Sequence, residues 1–264
     1  MKKALIDGHI HLENGELSEE YITEIIETAH QKGFSEIHIL DHSHRFREFE
    51  GCYEELKSLP KQSAWLKGEK KFRNSLKEYE DLMERMKKKQ RPLKVLYGLE
   101  VCYTEKSEER LRDILSDTHF DFLTGAVHSI DGILYDMDFS DGYLWNKYPA
   151  DEIYQRYYEI LLRCVSSGLF SVLAHPDTIK MKGIYPSYDL KDTYRRLAKA
   201  CKEYHVIPED NTGVHYRYGH PDIGLSEELR EIFLEYDTGL LPASDAHVLQ
   251  DIGKCIPDLP EYQE

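Results

Sequence analysis

Imidazoles and carboxylates stand at the ends of short apolar runs along the whole chain. They occur as Asp7-Gly8-His9-Ile10-His11, Asp41-His42, Glu100, His128, His175-Pro176-Asp177 and Asp245-Ala246-His247, and a seventh run ends at Glu209-Asp210-Asn211. These are the ligand types that zinc, manganese and iron share. One histidine after a strand is ordinary. Six of the 13 histidines placed just after predicted strands point to a polynuclear metal centre at one end of a barrel, the face where barrels keep their catalysis.

The spacing supports shared ligation. His9 and His11 are two apart in an extended segment, so alternation puts both imidazoles on one face, within reach of one metal. Asp7 shares that face and is expected to orient a histidine from behind. Asp245 and His247 repeat the spacing. Glu100 follows Val95–Leu99 at the barrel mouth, where its two oxygens can bridge two metals. His128 and His175 are single ligand candidates at equivalent heights.

Seven strands must carry these residues. They are expected at Ala4–Asp7, Glu36–Leu40, Lys94–Leu99, Phe122–Val127, Phe170–Ala174, Val206–Pro208 and Gly239–Ala243. The first helix is capped by Ser18, carries Glu19 and Glu20 at the positive end of its dipole, buries Tyr21, Ile22, Ile25, Ile26 and Ala29, and stops at Gly33. Further helices are expected at Glu105–Leu115, Ala150–Ser166, Leu190–Tyr204 and Ser226–Tyr236. Strand-helix alternation implies parallel strands with right-handed crossovers. Seven such units in 264 residues favour a single α/β domain over 1–264, a distorted (β/α)7 barrel. One helical insertion around 50–92 breaks the rhythm. Its basic stretch, 61–91, is read as a solvated helical flank that can overhang the active face.

Bulk properties narrow the function. Hydrophobic residues are 41% and charged residues 31%, and the net charge is -15, which argues against nucleic acid as a partner. No apolar stretch approaches the roughly 18 residues a membrane span needs. The five cysteines form no CxxC pair, so reduced thiols in a cytoplasmic protein fit best. Nothing in the sequence sets an oligomeric state.

Taken in order, Asp-x-His-x-His at 7–11, Asp-His at 41–42, Gly-Leu-Glu at 98–100, Val-His-Ser at 127–129, Ala-His-Pro-Asp at 174–177 and Ser-Asp-Ala-His at 244–247 resemble the motif set of the PHP superfamily, named for polymerase and histidinol phosphatase. Within it, His128-Ser129-Ile130-Asp131-Gly132 and Glu209-Asp210-Asn211-Thr212-Gly213 look most like the histidinol-phosphate phosphatases. The resemblance implies a distorted seven-stranded barrel and two or three divalent transition metals (Zn, Mn or Fe). One would take His9, His11, Glu100 and Asp245; a second would share Glu100 and add His128 and His175; a third would use His42 and His247. The family often gives that third metal a further histidine where this chain has Leu17, and Glu16 or Glu13 can substitute.

The implied reaction is hydrolysis of a small phosphorylated metabolite, L-histidinol phosphate foremost, by water acidified between two metals. Arg45 and Arg217 are candidate phosphate clamps, and His44 and His215 are candidate helpers or proton donors. Glu209, Asp177 or nearby tyrosines are candidates for the ammonium and imidazole end of the substrate. Rival readings are another phosphatase or phosphoesterase on the same scaffold, a non-enzymatic metal-binding protein, and an amidohydrolase-type barrel. The last usually needs a bridging lysine where this chain offers Glu100.

Overall fold

The computed structural model describes residues 3–263. The chain begins with β1 (Leu5–His11), α1 (Glu19–Gln31) and β2 (Phe34–Leu40). Helix α1 starts where Ser18 Oγ accepts the Tyr21 N–H at 3.2 Å. It buries Ile22, Ile25, Ile26 and Ala29, and ends before Gly33, whose φ of +86° is open to glycine at little cost.

The helical insertion starts earlier than expected, directly after β2. It runs through 3-10 turns over Ser43–Arg45 and Arg47–Ser58, then α2 (Pro60–Leu66) and α3 (Leu76–Lys87). Ser75 and Glu78 form a capping box on α3, which buries Leu76, Tyr79, Leu82, Met83 and Met86. Two of the basic residues at its end are paired, Lys87 with Asp121 at 2.9 Å and Lys89 with Glu19 at 2.6 Å.

The regular alternation then resumes with β3 (Lys94–Cys102), α4 (Glu108–Leu115) and β4 (Phe122–Ala126). A small hairpin follows, β5 (Ser129–Ile130) and β6 (Ile133–Leu134). Beyond it lie α5 (Ala150–Ser166), β7 (Val172–Leu173), α6 (Lys191–Tyr204), β8 (Ile207–Asn211), α7 (Gly213–Tyr218), α8 (Glu227–Glu235) and β9 (Leu241–Ala243).

Seven strands form one parallel sheet in the order β1-β2-β3-β4-β7-β8-β9. A parallel bridge between Ile10 and Ala246 closes the ring, with His11 N–H donating to Ala246 O at 2.8 Å. The fold is therefore the distorted, TIM-like seven-stranded barrel. Leu40, Phe122 and Val172, with Leu96 and Leu241 against them, form a separate apolar cluster drawn from five strands, which fills the barrel below the polar mouth. Three strands run further than expected. β1, β3 and β8 continue through His11, Glu100 and Glu209, so these side chains are held by ladder backbone rather than by loops.

Candidate metal centre

Six imidazoles and two carboxylates converge at the C-terminal mouth. His9 Nε2 and His11 Nε2 are 2.8 Å apart, and Asp245 Oδ1 lies 3.2 Å from His11 Nε2 and 3.7 Å from His9 Nε2. Glu100 Oε2 faces the same pair, 3.5 Å from His11 and 3.8 Å from His9. Its other oxygen, Oε1, stands 3.2 Å from His175 Nε2 and 3.4 Å from His128 Nε2, and those two nitrogens are 3.4 Å apart. One carboxylate thus spans two imidazole pairs. His42 Nε2 and His247 Nε2 meet at 3.4 Å on the flank.

The donor set fits metal ions. Glu100 Oε2 is buried and accepts no aligned hydrogen bond, although His42 Nδ1 lies 2.6 Å away. Ring nitrogens and carboxylate oxygens crowd within 4 Å of one another, the mixed donor set that a divalent cation takes. Burial pushes the Glu100 carboxyl up, but His42, His128 and His175 outweigh it and hold it well below the usual carboxylate range. Asp245 is likewise held well down, against the effect of burial, by Arg217, His11, His9 and His247.

His9 is oriented by Glu209, not by Asp7. Its Nδ1–H donates to Glu209 Oε1 at 2.7 Å, which leaves Nε2 free as a ligand. Glu209 Oε2 accepts from His175 N–H at 3.2 Å and from Asn211 Nδ2 at 2.8 Å. Glu209 was one of several candidates for the substrate's ammonium; it is instead spent behind the cage. Asp7 departs from its expected place because the β1 register shifts between Asp7 and Ile10, which re-aims the side chain. Its carboxylate accepts from Ser244 Oγ at 2.6 Å, Ser244 N–H at 2.9 Å and Gly253 N–H at 2.8 Å.

The four candidate substrate residues part company. Arg217, on α7, lines the pocket; it pairs with Asp245 and donates to His247 Nδ1 at 2.9 Å. Gly213 makes room for it, since a Cβ there would come 2.7 Å from Arg217 Nη2. Arg45 turns away from the pocket. It is 2% exposed, and its guanidinium is consumed by Asp41 Oδ2 at 2.6 Å, Leu12 O at 2.9 Å, Gly15 O at 3.0 Å and Asn74 Oδ1 at 3.0 Å. His215 bonds the His220 carbonyl at 2.7 Å and does not line the pocket. His44 does line it, but its Nε2 accepts from Lys71 Nζ at 2.8 Å. Glu16 is exposed. The carboxylate near the flank pair is Glu13, whose Oε2 lies 3.6 Å from His247 Nε2.

Two charged pocket residues escaped the sequence reading. Lys71 sat within a basic run that reads as solvent-facing, and spacing gives no sign that its ammonium turns inward over the Trp65 ring at 4.1 Å. Burial pushes it down to about 8. Asp136 lines the pocket with Oδ1 buried and unpartnered. It follows the β5–β6 hairpin, whose turn residues Asp131 and Gly132 both have positive φ. An Asp-Gly pair between Ser129-Ile130 and Ile133-Leu134 is the signal that could have revealed that hairpin. Gln62, fully buried on α2, pins it by donating to Gly132 O and accepting Leu134 N–H, both at 2.8 Å.

A seven-stranded parallel barrel with a histidine-carboxylate cage at its C-terminal mouth defines a metallohydrolase-type scaffold. The chain belongs to the PHP domain family, whose model matches residues 7–213. A probable histidinol-phosphatase of Clostridium acetobutylicum is 28% identical over 130 residues, 47% of this chain and 49% of that protein; the match thus spans about half the length of that relative. Two solved structures share the fold. Histidinol phosphate phosphatase from Lactococcus lactis subsp. lactis Il1403, complexed with zinc, L-histidinol and phosphate, aligns with a TM-score of 0.64 at 18% identity, over 96% of this chain and 92% of that one. The putative histidinol phosphatase of Listeria monocytogenes aligns with 0.71 at 17% identity, over 97% and 100%.

Proposed function

We propose that this chain is a metal-dependent phosphomonoesterase that hydrolyses L-histidinol phosphate to L-histidinol and phosphate. The observation that carries this reading is Glu100 between two imidazole pairs, with the guanidinium of Arg217 on the same pocket wall. The names of the relatives support the choice of substrate. The domain is read as one unit, with the segment between β2 and β3 as a helical insertion that walls the pocket.

His9, His11, Glu100 and Asp245 would hold one divalent ion, and Glu100, His128 and His175 another; the mixed nitrogen and oxygen set suits zinc, manganese or iron. Such ions supply Lewis acidity and lower the pKa of the attacking water. The chain's own groups do the rest. Glu209 fixes the His9 ring so that Nε2 faces the cage. Arg217 receives phosphate oxygens and offsets their charge. Asp136 offers its unpartnered oxygen to the substrate ammonium. It is the carboxylate left for that task, because Asp177 is engaged by Lys180 at 2.8 Å and by Ser226 N–H at 2.8 Å.

All five cysteines are free thiols, and no helix among the described residues is long and apolar enough to cross a membrane. The free thiols support the reading of a cytoplasmic enzyme.

The test is turnover of a panel of phosphomonoesters and diesters by purified protein with zinc or manganese, beside elemental analysis. Preference for histidinol phosphate is expected, and activity on diesters alone would defeat the assignment. Glu100→Ala should lose bound metal and turnover together while the circular dichroism spectrum is kept. Full activity in that variant would remove Glu100 from the bridge.

A further inference from the structure

Donor groups for a third cation exist on the flank of the cage. Glu13, His42 and His44 offer ligand atoms within 4.8 Å of one another, and so do His11, His42 and His247. The first of these groups already holds a charge. Lys71 Nζ donates to His44 Nε2 at 2.8 Å and lies 3.8 Å from Glu13 Oε1, and its side chain is only 8% exposed. The Trp65 ring covers it at 4.1 Å. Its backbone is locked as well. The next residue, Phe72, has φ of +51°, and its N–H donates to the His44 carbonyl at 2.7 Å.

We propose that Lys71 is a resident cation of this site: its ammonium stands between Glu13 and His44, two of the groups that a third ion on the His42 side could recruit, so the chain loads two ions rather than three. The inference rests on the metal-holding reading of the cage above. The lone pair of His44 Nε2 is consumed by the ammonium, which withdraws that histidine from ligation. Glu13 divides its two oxygens between Lys71 and His247, so its charge is already neutralised. With His11 committed to the first ion, a third ion would keep only His42 and His247, next to a fixed positive charge that repels it.

Metal stoichiometry tests this without reference to turnover. Protein saturated with zinc and then desalted should hold two ions per chain. Lys71→Met should hold three, because the repulsion is removed and Glu13 and His44 are released. Lys71→Gln is read in parallel, since it keeps a hydrogen-bond donor for His44 without the charge and covers the case in which the methionine variant does not fold. Three ions in the wild type, or two in the folded variants, would overturn the inference and leave the phosphatase reading standing. A wild type that holds no zinc would overturn both.

Discussion

The Nδ1–H of His9 donates to Glu209 at 2.7 Å, with both side chains fully buried. The two residues are 200 positions apart, on β1 and β8, and the bond decides which ring nitrogen faces the cage. A carboxylate behind a ligating imidazole typically contributes 10–100-fold to metal affinity. Glu209→Leu should therefore weaken zinc binding by roughly that factor in competition with a chromophoric chelator. Unchanged affinity would show that the ring is oriented by its packing alone.

Arg217 touches both Asp245 and His247 yet lines the open pocket. A charge-assisted hydrogen bond contributes about 1.5–3 kcal/mol, so Arg217→Ala should raise KM for the phosphate ester roughly tenfold or more, with zinc content unchanged. A normal KM would take the guanidinium off the phosphate.

Asp136 has an oxygen with no partner. If it receives the ammonium of the substrate, Asp136→Asn should raise KM for histidinol phosphate by roughly tenfold, while an aryl phosphate without an amine keeps its KM. Equal losses on both substrates would make Asp136 a general feature of the pocket rather than a selector.

Arg45 was a natural phosphate ligand on sequence grounds, but the structure gives it four protein acceptors and no opening. Removing one partner of a buried pair costs about 3–5 kcal/mol, which for a chain of this size lowers Tm by roughly 10 °C. Arg45→Met should show that fall in calorimetry. A variant with normal Tm and a raised KM would return Arg45 to the substrate.

The residues at strand ends were legible because a barrel converts chain order into a ring. Each strand delivers its last residues to one mouth, so ligand types after successive apolar runs must gather there. α1 was equally legible, since Ser18, its apolar stripe and Gly33 agree with one another. What stayed hidden depends on side-chain direction. The register shift in β1 moved Asp7 off the face its spacing implied. Strand lengths were underestimated because charged residues such as Glu100 and Glu209 end the apolar run while the ladder continues. Lys71 could not be told from its solvent-facing neighbours, because nothing local encodes the turn at Phe72 that aims it inward.

The fastening of Asp7 to Ser244 and Gly253, across 237 and 246 positions, has a bearing on how the protein matures. Ligands from the first strand cannot meet Asp245 until the chain has emerged through β9 and the ring has shut. Such non-local closure is slow and comes late in folding. Ion capture consequently follows ring closure, and nascent fragments that stop short of β9 should neither sequester zinc nor acquire premature hydrolytic competence.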